Sequence, residues 1–152
     1  KLGLVGSEMC IRDSRWLPWE ATHFSINILE LYVELVALVA FTLASRQRHE
    51  PVTHVNAFCD NTSAEFVSER ARTHADGMNE LNRRRQQFIT QHLVHMRTSR
   101  VPSIFNDIAD KLSRGDLEDA LRIPRECNLT VVRLEWPTDD VLSLSEVPPT
   151  WA

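Results

Sequence analysis

The longest apolar run, residues 26–44, narrows most what this chain can fold into. Its length is about that of a membrane span. It also carries Glu30 and Glu34, and Arg46 and Arg48 follow at once. Each carboxylate would cost roughly 2.5–3.5 kcal/mol at a bilayer centre. A helix buried within a protein is therefore expected here, and no membrane partner. Leu31, Leu35, Leu38 and Thr42 recur at helical spacing, as do Ile28, Val39 and Leu43. The resulting apolar face is wide, as suits a helix packed on a sheet. Ser25 or Asn27 can cap it, so the helix is expected over about 28–45.

The rest of the chain alternates in character. Residues 52–59 are rich in β-branched types and hold no breaker, so they read as a strand. The turn-prone pair Asp60-Asn61 ends it. A helix is expected over 63–73, broken at Ala75-Asp76-Gly77. A third helix is expected over 78–91, with Leu81, Phe88 and Ile89 as apolar anchors and Arg83, Arg84 and Arg85 solvated. Residues 93–101 read as a second strand, closed by Pro102. A short helix over 104–113 stops at Arg114-Gly115, and 116–122 adds a further turn or two. Residues 129–134 alternate weakly, as a small terminal strand would. From Pro137 onward Pro, Ser and Asp dominate without periodicity, which reads as tail or linker. This alternation of strands and helices is an α/β pattern. In such sheets ligands gather at the carboxyl ends of the strands.

The chain has 152 residues, room for one ordinary domain. The formal net charge of −4 excludes a generally basic nucleic-acid coat but not a local basic groove. Three cysteines without paired spacing exclude a disulfide scaffold and the common zinc frameworks, so an intracellular, reducing setting is expected. The stretch Gly6-Ser7-Glu8-Met9-Cys10-Ile11-Arg12-Asp13-Ser14 resembles a translated sequencing-adapter scar. Residues 1–14 are accordingly read as a non-native leader, 15–136 as the domain and 137–152 as the tail.

Three motifs bear on chemistry: Ile26-Asn27-Ile28-Leu29-Glu30-Leu31; Phe58-Cys59-Asp60-Asn61-Thr62-Ser63-Ala64; and the stretch from Arg100-Val101-Pro102 through Asn106-Asp107-Ile108-Ala109-Asp110 to Leu112-Ser113-Arg114-Gly115. In this order and spacing they resemble the ribonuclease H domain of a retroelement reverse transcriptase. The resemblance runs from about Trp16 to Gly115. It implies a ribonuclease H-like mixed sheet with flanking helices, and a metal-dependent nuclease that cuts the RNA strand of an RNA–DNA hybrid beside a polymerase domain of the same polyprotein. Carried over, Glu30, Asp60 and Asp110 match three of the family's four acidic metal ligands, and the implied cofactor is Mg²⁺, with Mn²⁺ as substitute. Hard Mg²⁺ prefers oxygen ligands, and a two-metal centre can activate water and steady the leaving oxygen. The family's first strand, its hairpin partner and its aspartate are expected to be missing. Poor or no activity is expected of the chain as given. The stretch before Asp110 also lacks the histidine that cellular members carry.

Each residue has a plainer reading. Glu30 can be a solvated helix residue, Glu34 a structural one, Asp60 and Asn61 turn formers, Asp107 a helix-start carboxylate and rival of Asp110, and Asn106 an N-cap. Arg83, with Arg97 and Arg100 on the following strand, can bind phosphate or face solvent. Thr62 and Ser63 can contact a sugar or phosphate, or cap a helix, and Asn61 and Asn106 can touch the nucleic acid. Two other functions stay open: a catalytically silent ribonuclease H-fold domain that binds nucleic acid or a neighbouring polymerase, and a structural α/β interaction domain.

Overall fold

The computed structural model describes residues 23–59, 76–101, 106–135 and 137–148. Their elements are α1 (Ile26–Gln47), β1 (His54–Cys59), α2 (Asp76–His92), β2 (His95–Arg100), α3 (Asp107–Ser113), α4 (Leu117–Glu126) and a 3-10 turn (Asp140–Leu142). The expected scar at 1–14 and the helix expected over 63–73 lie outside the described residues.

Helix α1 begins at Ser25, whose Oγ accepts the Ile28 N–H at 3.4 Å. It is long and apolar enough to cross a membrane, yet 61% of its apolar window is buried inside the fold, as in a core helix. Its end is a Schellman motif. Glu50 N–H donates to the Ser45 carbonyl and His49 N–H to the Arg46 carbonyl, with His49 left-handed at φ 59°. The same two-bond ending closes α2 at Leu93, α3 at Gly115 and α4 at Asn128. At α3 the residue is glycine, at no steric cost. At α2 it is Leu93, with φ 54° and 84% exposed. Leu93→Gly should therefore raise stability by about 1 kcal/mol, because a side chain in the left-handed region costs roughly 1–2 kcal/mol and this one buries little. A urea melt that shows no gain would contradict this.

The sheet pairs β1 with β2 in parallel, His54 opposite His95 through Cys59 opposite Arg100. A parallel pair needs a crossover, and α2 lies on it. Helices α1 and α2 pack on each other, and α3 packs on α4. The core joins Ile28, Leu31, Leu35, Leu38 and Val39 of α1 to Met78, Leu81 and Phe88 of α2, with Val55 and Met96 of the sheet against it. The mixed helix and strand content and the parallel pair agree with an α/β class.

Four local expectations are corrected. The helix expected from 78 begins earlier, at Asp76, and the helix that Ala75-Asp76-Gly77 was expected to end lies outside the described residues. Residues 129–134 form no strand, and Leu129, Val131 and Val132 are exposed. Alternation without a pairing partner does not make a sheet. Arg84 and Arg85 are not solvated but buried, at 6% and 3% exposure. Consecutive helical residues lie 100° apart, so three of them span too wide an arc to face water together. Finally, the stretch from Pro137 is no free tail over 137–148. Leu142, Leu144 and Val147 are buried in the core, and Tyr32 donates its hydroxyl to the Leu142 carbonyl at 2.8 Å.

Candidate functional site

Of the motif carboxylates, Glu30 and Asp110 are described; Asp60, Asn61, Thr62 and Ser63 lie outside the described residues. Glu30 sits in the second turn of α1 and is half-buried. Apolar neighbours at Leu29 and Leu31 bury the helix on either side of it. Asp110 is on α3, partly exposed, and its Oδ2 lies 3.0 Å from the Arg114 guanidinium one turn later. Its rival Asp107 opens the same helix and pairs with Lys111 at 3.2 Å. Lys111 also bonds Asp119 of α4, which ties α3 to α4. Asn106 is the N-cap of α3 by position, but its side chain makes no capping bond.

Strand β1 ends at Cys59, directly before Asp60, and β2 ends at Arg100, the first residue of the third motif. Because the strands are parallel and in register, both motifs leave the sheet at the same end. Arg97 and Arg100 are on β2 and exposed. Arg83 is exposed on α2 but engaged: Nε and Nη2 each bond Glu80 at 2.8 Å. These bonds, with one from Arg84, hold the Glu80 carboxyl down at about 2. Among the described residues, no three His, Cys, Asp or Glu side chains are grouped to hold a metal. A shallow groove of about 380 Å³ is lined by Asp76, Asn79, Glu80, Arg83, Glu146 and Pro148; it includes Arg83 and none of the motif carboxylates.

The strongest polar constellation was not expected from the motifs. Glu34, one turn beyond Glu30, is 2% exposed. Its Oε1 accepts the Thr98 hydroxyl at 2.7 Å and an Arg85 N–H at 3.2 Å. Arg85 Nη2 donates to Asn82 Oδ1 at 2.9 Å. One buried cluster thus joins α1, α2 and β2. Burial pushes the Glu34 carboxyl up, and Arg85 and Thr98 oppose that without cancelling it. Its Oε2 is buried with no hydrogen-bond partner among the described residues. One signal in the sequence points to such a cluster: an acid inside an apolar run must be paired when buried. The partner itself lies too far along the chain for local pattern to name.

No protein-family profile, curated protein or solved structure matches this chain.

Proposed function

We propose that this chain is the ribonuclease H-like part of a retroelement polyprotein, a domain that hydrolyses the RNA strand of RNA–DNA hybrids. The observation that supports the reading best is topological. Two acidic motifs follow two parallel, in-register strands and leave the sheet at one end, which is where α/β sheets gather their chemistry. Glu30, on a helix packed over that sheet, would complete a set of three carboxylates with Asp60 and Asp110. Carboxylate oxygens suit Mg²⁺, and Mn²⁺ in its place. The metal, when bound, would lower the pKa of a coordinated water and neutralise developing charge on phosphate. Glu30 and Asp110 would position it, and Arg97 and Arg100 would hold the hybrid's phosphates. Asn61, Thr62, Ser63 and Asn106 would contact the backbone of the nucleic acid.

A second reading, a silent domain of the same fold that binds nucleic acid or a polymerase domain, draws on the Arg114 guanidinium, which occupies Asp110 where a metal would sit. One experiment separates the two. Millimolar Mg²⁺ should raise the melting temperature of the full chain by mass action. Asp60→Asn and Asp110→Asn should each abolish that shift. Labelled hybrid, DNA duplex and single-stranded RNA are then incubated with the chain. The chain as given should cut the hybrid poorly or not at all, and any cutting should fall on the RNA strand only and drop at least about 100-fold with Asp110→Asn, since a misplacement of 1 Å can already cost that much. Hybrid binding with neither metal shift nor cutting would favour the silent domain.

A further inference from the structure

We infer that the outer face of the β1–β2 pair is a binding surface for single-stranded nucleic acid, with bases stacked on Phe58 and phosphate held by Arg97. Strand side chains alternate between faces, and Val55 and Met96 point into the core. The opposite face therefore carries the paired residues His54 and His95, Asn56 and Arg97, and Phe58 and Ser99. Parallel strands are almost always covered on both faces. Here Phe58 is 62% exposed on the second face. Phe58 is the one large apolar residue on this otherwise polar face, close to the carboxyl end of β1, and its exposed ring is open to a flat partner.

Charge selects the occupant. Neither strand contains Asp or Glu, although the whole chain carries a net −4. Arg97 has no carboxylate partner among the described residues, whereas Arg83, Arg84, Arg85, Arg114 and Arg122 all do. A second copy of this face would offer Arg97 no carboxylate on either strand. An anionic partner with flat apolar groups meets both demands. The Phe58 ring and the imidazoles of His54 and His95, whose centroids are 5.6 Å apart, offer stacking platforms. Asn56 adds a donor and an acceptor for base edges. Sheet-face readers of single strands likewise stack unpaired bases on aromatic side chains. The surface lies on the sheet face, not at the strand ends, and shares only Arg97 with the nuclease reading, so the Phe58 variants separate the two.

The probe is a fluorescein-labelled twelve-nucleotide oligothymidylate titrated with the full chain at low salt, read by anisotropy. Phe58→Ala should weaken binding about fivefold or more, from the loss of one stacked base. Phe58→Trp should keep the affinity, and its emission should be quenched on binding. Arg97→Ala should lower the salt dependence by about 0.7 in the log–log slope, the share of one single-strand phosphate. Circular dichroism melts confirm that the variants are folded. Oligonucleotide binding unchanged by Phe58→Ala and Arg97→Ala, or no binding at all, overturns the inference. Concentration-dependent dimers in sedimentation, lost on Phe58→Ala without any oligonucleotide binding, would assign the face to a second copy and overturn it equally.

Discussion

Cutting the chain after Glu135 should remove its cooperative unfolding. The deleted segment buries Leu142, Leu144 and Val147 against α1 and α2. At about 1.5–3 kcal/mol for each side chain buried, the loss is about 4.5–9 kcal/mol, against a typical domain stability of about 5–15 kcal/mol. Polar anchors go with it. Tyr32 loses the Leu142 carbonyl, and the buried Arg84 guanidinium loses the Ser143 carbonyl. Packing here is tight: a Cβ on Gly77 would collide with the Pro148 carbonyl oxygen and come within 2.5 Å of Ile28 Cδ1. The check is a thermal melt with a dye that binds exposed apolar surface. The truncated chain should bind the dye at room temperature, and Leu142→Ala alone should cost about 2–5 kcal/mol. An unchanged melting midpoint in the truncated chain would mean that 137–148 contributes nothing to the core.

Arg85→Ala should cost about 3–5 kcal/mol, because it strands the Glu34 carboxylate at 2% exposure. Replacing both partners, Glu34→Leu with Arg85→Met, should recover most of that loss, since well-packed apolar residues often match or exceed a buried ion pair. Urea melts of the two single variants and the double variant measure the coupling. The pH dependence has a definite sign. Glu34 has its carboxyl raised above the ordinary 4.5 by burial. The folded state then holds its proton more firmly than the unfolded state does. This contribution to stability is complete below about 4.5 and is lost as pH climbs through the raised, folded-state value. Glu34→Gln cannot titrate. The stability of the wild type relative to Glu34→Gln should therefore fall as pH rises from 4.5. A difference that is flat with pH would show that Glu34 titrates alike in both states.

How far the sequence reaches is visible at particular residues. The expected helix over 28–45 lies within Ile26–Gln47, and the expected strand over 52–59 contains His54–Cys59. The helix expected over 78–91 lies within Asp76–His92, and the strand over 93–101 contains His95–Arg100. All four depend on apolar periodicity or β-branched runs, which act within a few residues. The stop at Arg114-Gly115 was also legible, because only glycine takes φ 78° freely. The carboxylate motifs are legible as residue types and spacing.

Local pattern alone settled where α1, β1, α2 and β2 form, because neighbouring side chains decide backbone conformation; over 129–134 it did not, because a strand also needs a partner distant in sequence. Tertiary structure alone decided which polar groups are buried and which irregular segment joins the core. Arg85 looks like one of three solvated arginines until Glu34, 51 positions away, is seen to receive it. Residues 137–148 look like a tail until Tyr32, 110 positions from Leu142, anchors them. A short segment without periodicity can still bury three apolar side chains when a groove between two helices is waiting for it. Burial free energy depends on surface removed from water, and that surface is supplied by residues distant in sequence.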